Sequence, residues 1–398
     1  MNGMTYKSVG VDYDAMDPFK RMAQIAGRET AENIARLNGG EFKEFEASRG
    51  ESVYLIEAAK SYFAHVEEGL GTKNLVADAM YRLTGKSYYD QIAQDTVAMI
   101  VNDMITLGAL PLSVAMHLAV GDSNWFNDQV RCHDLVNGWK KACDLAGCVW
   151  GGGETPTLKG VVNPEAVVLS GSAIGLVKPK ERLITGNIQH GDAIIFLESS
   201  GIGANGLTMA RKIAERKDKF WRKIAHLFLP QQFPLYALPN GYLTKLPDGR
   251  TYGETLLDPT YIYVQFIDYC LSNGADIHYA VNITGHGWRK LMRSQESFAY
   301  IIEALPKWEK QHYIFDFIQK YGPVSDYEAY ANLNMDAGLA LYVPENGLDK
   351  IWSLLIDCYN HPQWIGAAYA GHIEKSDVKK VIIKPKGLEY LGSTLGVR

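Results

Sequence analysis

Hydrophobic positions along the chain follow two periodicities, one typical of strands and one typical of helices. Residues 165–177, EAVVLSGSAIGLV, are rich in β-branched side chains and predict a buried strand. Residues 90–108 repeat apolar side chains at helical spacing, and residues 127–146 predict a second helix that ends at Gly147. Strand-like and amphipathic runs alternate throughout, so the pattern predicts a mixed α/β (α+β) fold.

Shorter runs predict the remaining elements and a division into two domains. Helices are expected at 28–37, 207–217, 260–272, 285–294 and 346–358, and strands near 52–68 and at 192–200, 337–343 and 378–385. A length of 398 residues exceeds what one hydrophobic core usually organises. The polar, turn-rich stretch 178–192 predicts the boundary between domains 1–180 and 181–398.

Composition and charge narrow the class of protein. The chain is 47% hydrophobic and 21% charged, which is ordinary for a globular protein, and no apolar run reaches the roughly 18 residues of a membrane span. The first residues lack the features of a secretory signal, so we expect a cytoplasmic protein. A net charge of −5 disfavours nucleic-acid binding. The five cysteines are scattered and odd in number, which disfavours a disulfide framework. Cys132, Cys143 and Cys148 fit no zinc pattern, and we expect them to be core residues.

Three glycine-rich segments are candidates for chemistry. EEGLGTK, residues 67–73, joins two carboxylates to Lys73 through a glycine turn that suits a phosphate and its magnesium ion, although it is not a Walker A motif. WGGGETP, residues 150–156, places Glu154 after three glycines, where no side chain obstructs a ligand. For both, a plain surface turn is the alternative. GIGANG, residues 201–206, matches the dinucleotide fingerprint, but no acidic strand end follows, so it favours a phosphate cradle at a helix N-terminus.

The predicted helix 90–108 carries polar residues among apolar ones. Asp95 and Asn102 are seven residues apart and share a helix face, with Asp103 beside them. Such groups need partners if they are buried. Two interpretations stay open, a polar edge of the helix and a metal or nucleotide site.

Taken in order along the chain, the motifs resemble those of a known family. YKSVGVDYDA opens the series at residues 6–15. The others are EGLGTK (68–73), VNDMITLGALPL (101–112), GGGETP (151–156), SSGIGANGLTMARKI (199–213), LLDPTYIYV (256–264), ITGHG (283–287) and NLNMDAGLAL (332–341). Together they resemble the aminoimidazole ribonucleotide synthetase family, also called phosphoribosylformylglycinamidine cyclo-ligase, over nearly the whole chain.

The resemblance implies an architecture and a reaction. An N-terminal α/β domain would join its four-stranded sheet to that of a second copy, forming a β-barrel across a homodimer. A C-terminal α/β domain with a mixed sheet flanked by helices would complete a cleft that binds ATP, Mg²⁺ and formylglycinamidine ribonucleotide. In the family reaction ATP phosphorylates the formyl amide oxygen, an amidine nitrogen attacks that carbon, phosphate leaves and the imidazole ring closes. Such chemistry needs positioning and charge neutralisation more than a protein nucleophile.

The resemblance also implies roles for individual residues. The candidate catalytic residues are Lys7, Glu154 and His286, of which Lys7 would contact phosphate. The implied metal ligands are Glu68 and Asp103. The implied cofactor-binding residues are Glu68, Gly69, Gly71, Thr72, Lys73, Asn102, Gly152, Gly153, Thr155 and Asn205.

Several positions depart from the family pattern. Glu68 stands where Asp is usual, Gly203 where the family has His, and Val168 where Asp is common. The family's HITGGG has become NITGHG, with Asn282 and His286. Our hypothesis is that His286 partly replaces the missing loop histidine, and unchanged catalysis by His286→Ala would refute it.

Two other functions are compatible with the same motifs. One is a superfamily relative that phosphorylates a different small substrate, and the other is a catalytically inactive dimeric scaffold. The retained Lys73, Asp103 and Glu154 argue against a scaffold, because an inactive site has no need for costly glycine loops and polar clusters.

Overall fold

The computed structural model describes residues 3–184, 186–232, 235–309, 312–357 and 365–396. Within these ranges the mixed α/β prediction is confirmed: two separate sheets, of six and seven strands, are flanked by helices. The polar stretch 178–192 lies between the last strand of the first sheet and the first strand of the second. No helix in the described ranges is long and apolar enough to cross a membrane.

The first sheet has the strand order β1-β2-β3-β6-β4-β5, and only β4 and β5 run parallel. Its strands are Lys43–Glu44 (β1), Tyr54–Glu57 (β2), Tyr62–Gly69 (β3), Leu110–Val120 (β4), Val149–Glu154 (β5) and Val167–Val177 (β6). The resemblance implied four strands. The sheet has six because the two-residue strand β1 and the four-residue strand β2 extend one edge.

Helices cover one face of this sheet and leave the other open. The chain continues from the sheet into α3 (Lys73–Thr84), α4 (Tyr89–Ile105) and α5 (Gln129–Ala146). Nearly every side chain of α4 is buried, because the helix lies between the sheet and the second half of the chain. The opposite face of the sheet exposes apolar side chains, among them Phe63 and Ile174, which are 44% and 57% exposed. In this chain the first sheet is therefore a half-barrel with an uncovered apolar face.

The second sheet has the strand order β13-β12-β9-β11-β7-β10-β8. Its strands are Ala193–Glu198 (β7), Tyr279–Asn282 (β8), Phe298–Ile302 (β9), Ala337–Val343 (β10), Ala367–Lys375 (β11), Lys380–Ile383 (β12) and Leu388–Leu391 (β13). The helices around it are Leu207–Glu215 (α6), Phe220–Phe228 (α7), Tyr252–Leu256 (α8), Val264–Ser272 (α9), Ile314–Tyr321 (α10), Asp326–Asn332 (α11) and Leu348–Asp357 (α12). Strands β7 and β10 are buried along almost their whole length and form the centre of this core.

The N-terminal segment, with α1 (Tyr13–Glu29) and α2 (Glu32–Arg36), lies partly against the second half of the chain. The backbone N–H of Tyr6 donates to Glu328 Oε1 at 2.7 Å, and Lys212 Nζ donates to the carbonyl of Val9 at 2.9 Å. The first residues thus contact the unit assigned to 181–398, and the division 1–180 and 181–398 stays a prediction.

Most predicted elements are confirmed, and two differ. The helix predicted at 28–37 is reduced to Glu32–Arg36, preceded by the unpredicted helix Tyr13–Glu29. The helix predicted at 285–294 is a 3₁₀ helix, Gly287–Met292, which begins after His286 in a left-handed backbone conformation (φ 69°). The predicted C-cap Gly147 is confirmed, with φ 72°. Residue 358, at the end of the helix predicted at 346–358, lies outside the described residues.

Candidate active site

Helix α4 is joined to the second half of the chain by its polar face. Asp95 Oδ1 accepts hydrogen bonds from Thr260 N at 2.9 Å and Thr260 Oγ1 at 2.5 Å. Seven residues on, Asn102 donates to the carbonyl of Tyr261 at 2.7 Å and accepts from Tyr263 N at 2.9 Å. The shared helix face is confirmed, and both side chains are fully buried. The polar groups therefore find the partners that buried groups require.

Lys73 is buried in the same contact region. Its Nζ lies 2.7 Å from Asp95 Oδ2 in an ion pair and donates to the backbone carbonyl of Asp258 at 2.8 Å. Both members of the pair are fully inaccessible to solvent. A phosphate contact by Lys73 thus requires this arrangement to open, and it stays a prediction. The neighbouring Thr72 contacts Thr208 on α6, with 3.2 Å between the two hydroxyl oxygens.

Two carboxylates, Glu68 at the end of β3 and Asp103 on α4, lie close enough to influence each other's charge. Burial and the negative charge of Asp103 raise the pKa of Glu68 to about 7, although Lys290 opposes the rise. Asn282 donates to Asp103 Oδ1 at 2.7 Å. Lys290 is buried and donates to Thr284 Oγ1 and, at 3.4 Å, to the Asn282 carbonyl. Burial lowers the pKa of Lys290 to about 8, and Asp103 opposes that fall.

This carboxylate pair is chemically suited to a magnesium ion. Carboxylate oxygens are the ligands Mg²⁺ prefers, and a bound cation would favour the charged form of Glu68 against the burial and the Asp103 charge that raise its pKa. Across the described ranges, no group of three His, Cys, Asp or Glu side chains could hold a metal ion. Glu68 and Asp103 could therefore supply only part of a coordination shell, which fits the way Mg²⁺ is shared between protein carboxylates and nucleotide phosphates.

The glycine loop 201–206 closes one side of a cavity between α4 and the second sheet. Gly201, Gly203 and Gly206 have φ of 135°, 66° and 90°, conformations that glycine adopts without strain. Two predicted residues, Asn102 and Asn205, line this cavity. Other polar lining residues are Ser199, Ser200, Thr260, Asn282, Thr284 and Asn334. Because α6 begins at Leu207, the loop presents a helix N-terminus, as a phosphate cradle requires.

The GGGET segment contains Gly153, which is aligned with Glu68 across the sheet, in the same row of paired residues, but lies three strands away. The register pairs Glu68 with Gly171, Gly171 with Met116, and Met116 with Gly153. At about 4.8 Å per strand, Glu68 and Gly153 are roughly 14 Å apart. Gly152, Gly153 and Thr155 line an open depression with Met116 and Trp150, and Glu154 is exposed.

His286 lies outside the cavity lining and contacts the N-terminal segment. Its ring stacks on Tyr13 with 3.8 Å between ring centroids, and its Nε2 is 3.9 Å from Asp17 Oδ2 without a hydrogen bond. Burial, followed by the positive charges of Arg289 and Lys290, lowers the pKa of His286 to about 2. The imidazole is therefore neutral at physiological pH.

Lys7, the third candidate catalytic residue, is exposed on a different depression. Its ammonium pairs with Asp12 at 3.0 Å and Asp14 at 3.4 Å, and the hydrogen bond to Asp12 raises its pKa. Tyr13 and Arg289 line the same depression. The structure thus groups Glu68, Asp103 and Asn102 near one cavity, and Lys7, His286 and Glu154 are not among the residues that line it.

Sequence reasoning missed Lys290. It follows the ITGHG motif in the run WRKLMR, whose three cations are an ordinary surface pattern. Only the 3₁₀ helix Gly287–Met292 turns Lys290 inward toward Asn282 and Thr284. The signal for Lys290 in the sequence was its position about one helical turn after the glycine motif ITGHG.

Comparison with known proteins places this arrangement in a class. A family model described as AIR synthase related protein, N-terminal domain, matches residues 54–177. A solved HypE-HypF complex contains a chain with the same fold: the TM-score is 0.56 at 16% identity, covering 93% of this chain and 98% of that chain. Residues 54–177 thus match the N-terminal domain of AIR synthase-related proteins, and the chain as a whole has the fold of that solved neighbour.

Curated relatives make the assignment narrower. The phosphoribosylformylglycinamidine cyclo-ligase of Carboxydothermus hydrogenoformans is 33% identical over 385 residues, covering 93% of this chain and 98% of that protein. The cyclo-ligase of Thermoanaerobacter pseudethanolicus is 30% identical over 352 residues, covering 87% of this chain and 92% of that protein. The chain belongs to the phosphoribosylformylglycinamidine cyclo-ligase family.

Proposed function

We propose that this protein uses ATP to cyclise formylglycinamidine ribonucleotide to aminoimidazole ribonucleotide, releasing ADP and phosphate in purine biosynthesis. One observation supports the proposal above the others. Asp103, Asn282 and Lys290 are buried beside a cavity that Asn282 lines, and the charges of Asp103 and Lys290 act on the half-buried Glu68 at the end of β3. A buried cluster of this kind costs stability unless a ligand or a reaction uses it.

The residues present suit the chemistry of phosphorylating an amide oxygen. An amide oxygen is a poor leaving group, and the reaction requires the phosphate donor and the substrate to be held in line while negative charge is neutralised. Lys290 supplies a buried cation, the loop 201–206 supplies backbone N–H groups at a helix N-terminus, and Asn102 and Asn205 supply amides to the cavity.

Magnesium is the proposed metal cofactor, held by Glu68 and Asp103 together with oxygens of the nucleotide. When bound, it neutralises charge on the transferred phosphoryl group. The remaining predicted contacts, Gly152, Gly153, Thr155 and Glu154, would extend the nucleotide or substrate site along the row that begins at Glu68.

We also propose a cytoplasmic homodimer built through the uncovered face of the first sheet. That face exposes Phe63, Val168 and Ile174, each more than 40% accessible. Large apolar side chains exposed on an uncovered sheet face favour burial against a partner. A second copy placing the same strands opposite would complete the half-barrel.

The experiment is to incubate purified protein with formylglycinamidine ribonucleotide, ATP and Mg²⁺ and to measure ADP and aminoimidazole ribonucleotide. Equal amounts of both products support the proposal. Asp103→Asn keeps the size of the side chain and can still accept from Asn282, so loss of turnover would reflect lost charge. Asp349→Asn, at an exposed position on α12, is the matched control. ATP binding without turnover would instead indicate a relative acting on another substrate, and absence of ATP binding would indicate a scaffold.

A further inference from the structure

The C-terminus of α5 brings two cysteines together in a Schellman motif. Cys148 N donates to the Cys143 carbonyl at 3.0 Å, and Gly147 N donates to the Asp144 carbonyl at 3.2 Å. These are the 6→1 and 5→2 hydrogen bonds that define the motif, with Gly147 in the left-handed position (φ 72°). In such a motif the side chains of the first and last residues lie against each other, and here both are cysteine.

The backbone geometry meets the requirement for a disulfide. The 6→1 bond holds the two Cα atoms within the roughly 4–7 Å that a disulfide spans. Both cysteines are free thiols. The backbone hydrogen bond from Cys148 to Cys143 therefore already holds together the two residues that a disulfide would join.

The two thiols differ in accessibility and in acidity. Cys143 is 3% exposed, whereas Cys148 is partly exposed. The hydrogen bond from the Cys143 thiol lowers the pKa of Cys148, and the same bond with burial raises the pKa of Cys143. Because the thiolate is the nucleophile, Cys148 is the more reactive of the two toward a small oxidant from solvent.

We propose that Cys143 and Cys148 form an oxidisable dithiol site, in which Cys148 reacts with peroxide and Cys143 resolves the product to an intrachain disulfide. The Cys148 thiolate attacks one peroxide oxygen, giving a sulfenic acid and hydroxide. The Cys143 sulfur then attacks the sulfenic sulfur and forms the S–S bond, and its proton leaves with the sulfenic hydroxyl as water. The proton that Cys148 lost on ionisation neutralises the hydroxide from the first step and gives the second water. Two thiols are oxidised and one peroxide is reduced.

The site would protect the chain from irreversible oxidation. A sulfenic acid without a neighbouring thiol proceeds to sulfinic acid, which ordinary thiols do not reduce. Cys148 precedes the strand residues Gly151–Glu154 by only three positions, so a permanent acidic group there would lie close to the glycine segment. Resolution by Cys143 would keep this oxidation reversible. The dithiol site would act in this way whether or not the chain catalyses the proposed cyclisation.

Peptide mass spectrometry tests the site directly. After peroxide treatment and alkylation, trypsin should release residues 142–159 as one peptide, because Lys141 and Lys159 bound it. We expect this peptide to be unalkylated and to lack two hydrogens, while the peptide carrying Cys132 stays alkylated. The number of thiols that can be alkylated should fall by two and be restored by a reducing agent. Full alkylation of the 142–159 peptide, or a bond from Cys148 to another cysteine or another chain, would overturn the proposal.

A pair of variants tests the roles of the two thiols. In Cys143→Ser, peroxide should carry Cys148 to sulfinic acid that a reducing agent does not reverse. Cys132→Ser removes a partly buried thiol from the same helix and should leave the 142–159 disulfide unchanged. If Cys148 gave the same products in the wild type and in Cys143→Ser, Cys143 would have no resolving role. Equal melting temperatures of the reduced proteins establish that the variants fold.

Discussion

The buried ion pair between Lys73 and Asp95 gives the most direct test of how the two halves of the chain are held together. Replacing Lys73 with Met keeps the length of the side chain and removes its charge. The Asp95 carboxylate would keep its hydrogen bonds from Thr260 but would lose its only ion-pair partner in the described residues. Removing one member of a buried pair costs about 3–5 kcal/mol, because the remaining charge stays buried and uncompensated.

That cost translates into a measurable change in melting temperature. The entropy of unfolding near 60 °C is about 2.1 cal/mol/K per residue, which gives about 0.84 kcal/mol/K for a chain of this length. A loss of 3–5 kcal/mol therefore lowers the melting temperature by about 4–6 °C if the chain unfolds as one unit. If a smaller unit unfolds first, its entropy is smaller and the shift is larger.

The assay is calorimetry of the wild type, Lys73→Met and a matched surface variant. Lys140→Met breaks the pair with Asp144, whose 2.6 Å distance is similar but whose side chains are 72% and 62% exposed. An exposed pair contributes at most about 1 kcal/mol, so this variant should melt within about 1 °C of the wild type. The double variant Lys73→Met/Asp95→Asn should regain part of the loss, since no buried charge remains.

Two results would refute the reasoning. If Lys73→Met melts like Lys140→Met, then Asp95 is compensated without Lys73. If the double variant is no more stable than Lys73→Met, then the cost does not come from the unpaired carboxylate. The other predicted role of Lys73 is a phosphate contact, which calorimetric titration with ATP and Mg²⁺ tests separately. If Lys73→Met lost ATP binding at an unchanged melting temperature, Lys73 would act on the nucleotide and not on the contact between the two halves of the chain.

Three further predictions address the carboxylate pair, the dimer and the histidine. The folded-state pKa of Glu68 is raised from 4.5 to about 7, so between these pH values the folded protein binds more protons than the unfolded protein and its stability falls as pH rises. The melting temperature of Glu68→Gln should therefore increase relative to that of the wild type from pH 4.5 to about 7. Parallel curves of melting temperature against pH would contradict this. Ile174→Glu on the uncovered sheet face should give the mass of a monomer by light scattering. The control Leu83→Glu, at a 52% exposed position on α3, should keep the mass of a dimer. Equal masses for both variants would exclude this face as the interface. His286→Asn removes the imidazole ring, and asparagine tolerates the left-handed backbone conformation at this position. If His286 acts in catalysis, kcat should fall about tenfold or more without a change in melting temperature. An unchanged kcat would refute that role.

Local sequence patterns were sufficient to predict helices and strands that have a strong hydrophobic period or a clear stop signal. The helix Gln129–Ala146 and its cap Gly147 were predicted because a 3.6-residue period and a glycine stop signal coincide there. The strand Val167–Val177 was predicted from its β-branched residues. The helix Tyr13–Glu29 was missed although its apolar residues recur at helical spacing, and no local pattern reports that these residues face solvent. It buries Asp17 and exposes Phe19 at 69%.

The candidate site was predictable only as a set of residues, not as a geometry. Asp95 and Asn102 were correctly expected to share a face, yet the sequence left open whether they hold a ligand or another part of the chain. Their partners are residues 260–263, about 160 positions away, and no local period reports such a contact. The inward turn of Lys290 likewise depends on the left-handed conformation of His286, at a position where glycine would be the ordinary residue.

The polar face of α4 suggests why the site and the contact between the two halves are difficult to separate. Asp95 and Asn102 hold residues 260–263 from one helix face, and Asp103, next along the same helix, belongs to the carboxylate pair with Glu68. Asn282 joins Asp103 to the second sheet. A cation or phosphate that altered the charge at Asp103 would therefore act on a group that also holds the two sheets together. Ligand binding and the stability of this contact should be thermodynamically coupled, so nucleotide with Mg²⁺ should raise the melting temperature less in Asp103→Asn than in the wild type.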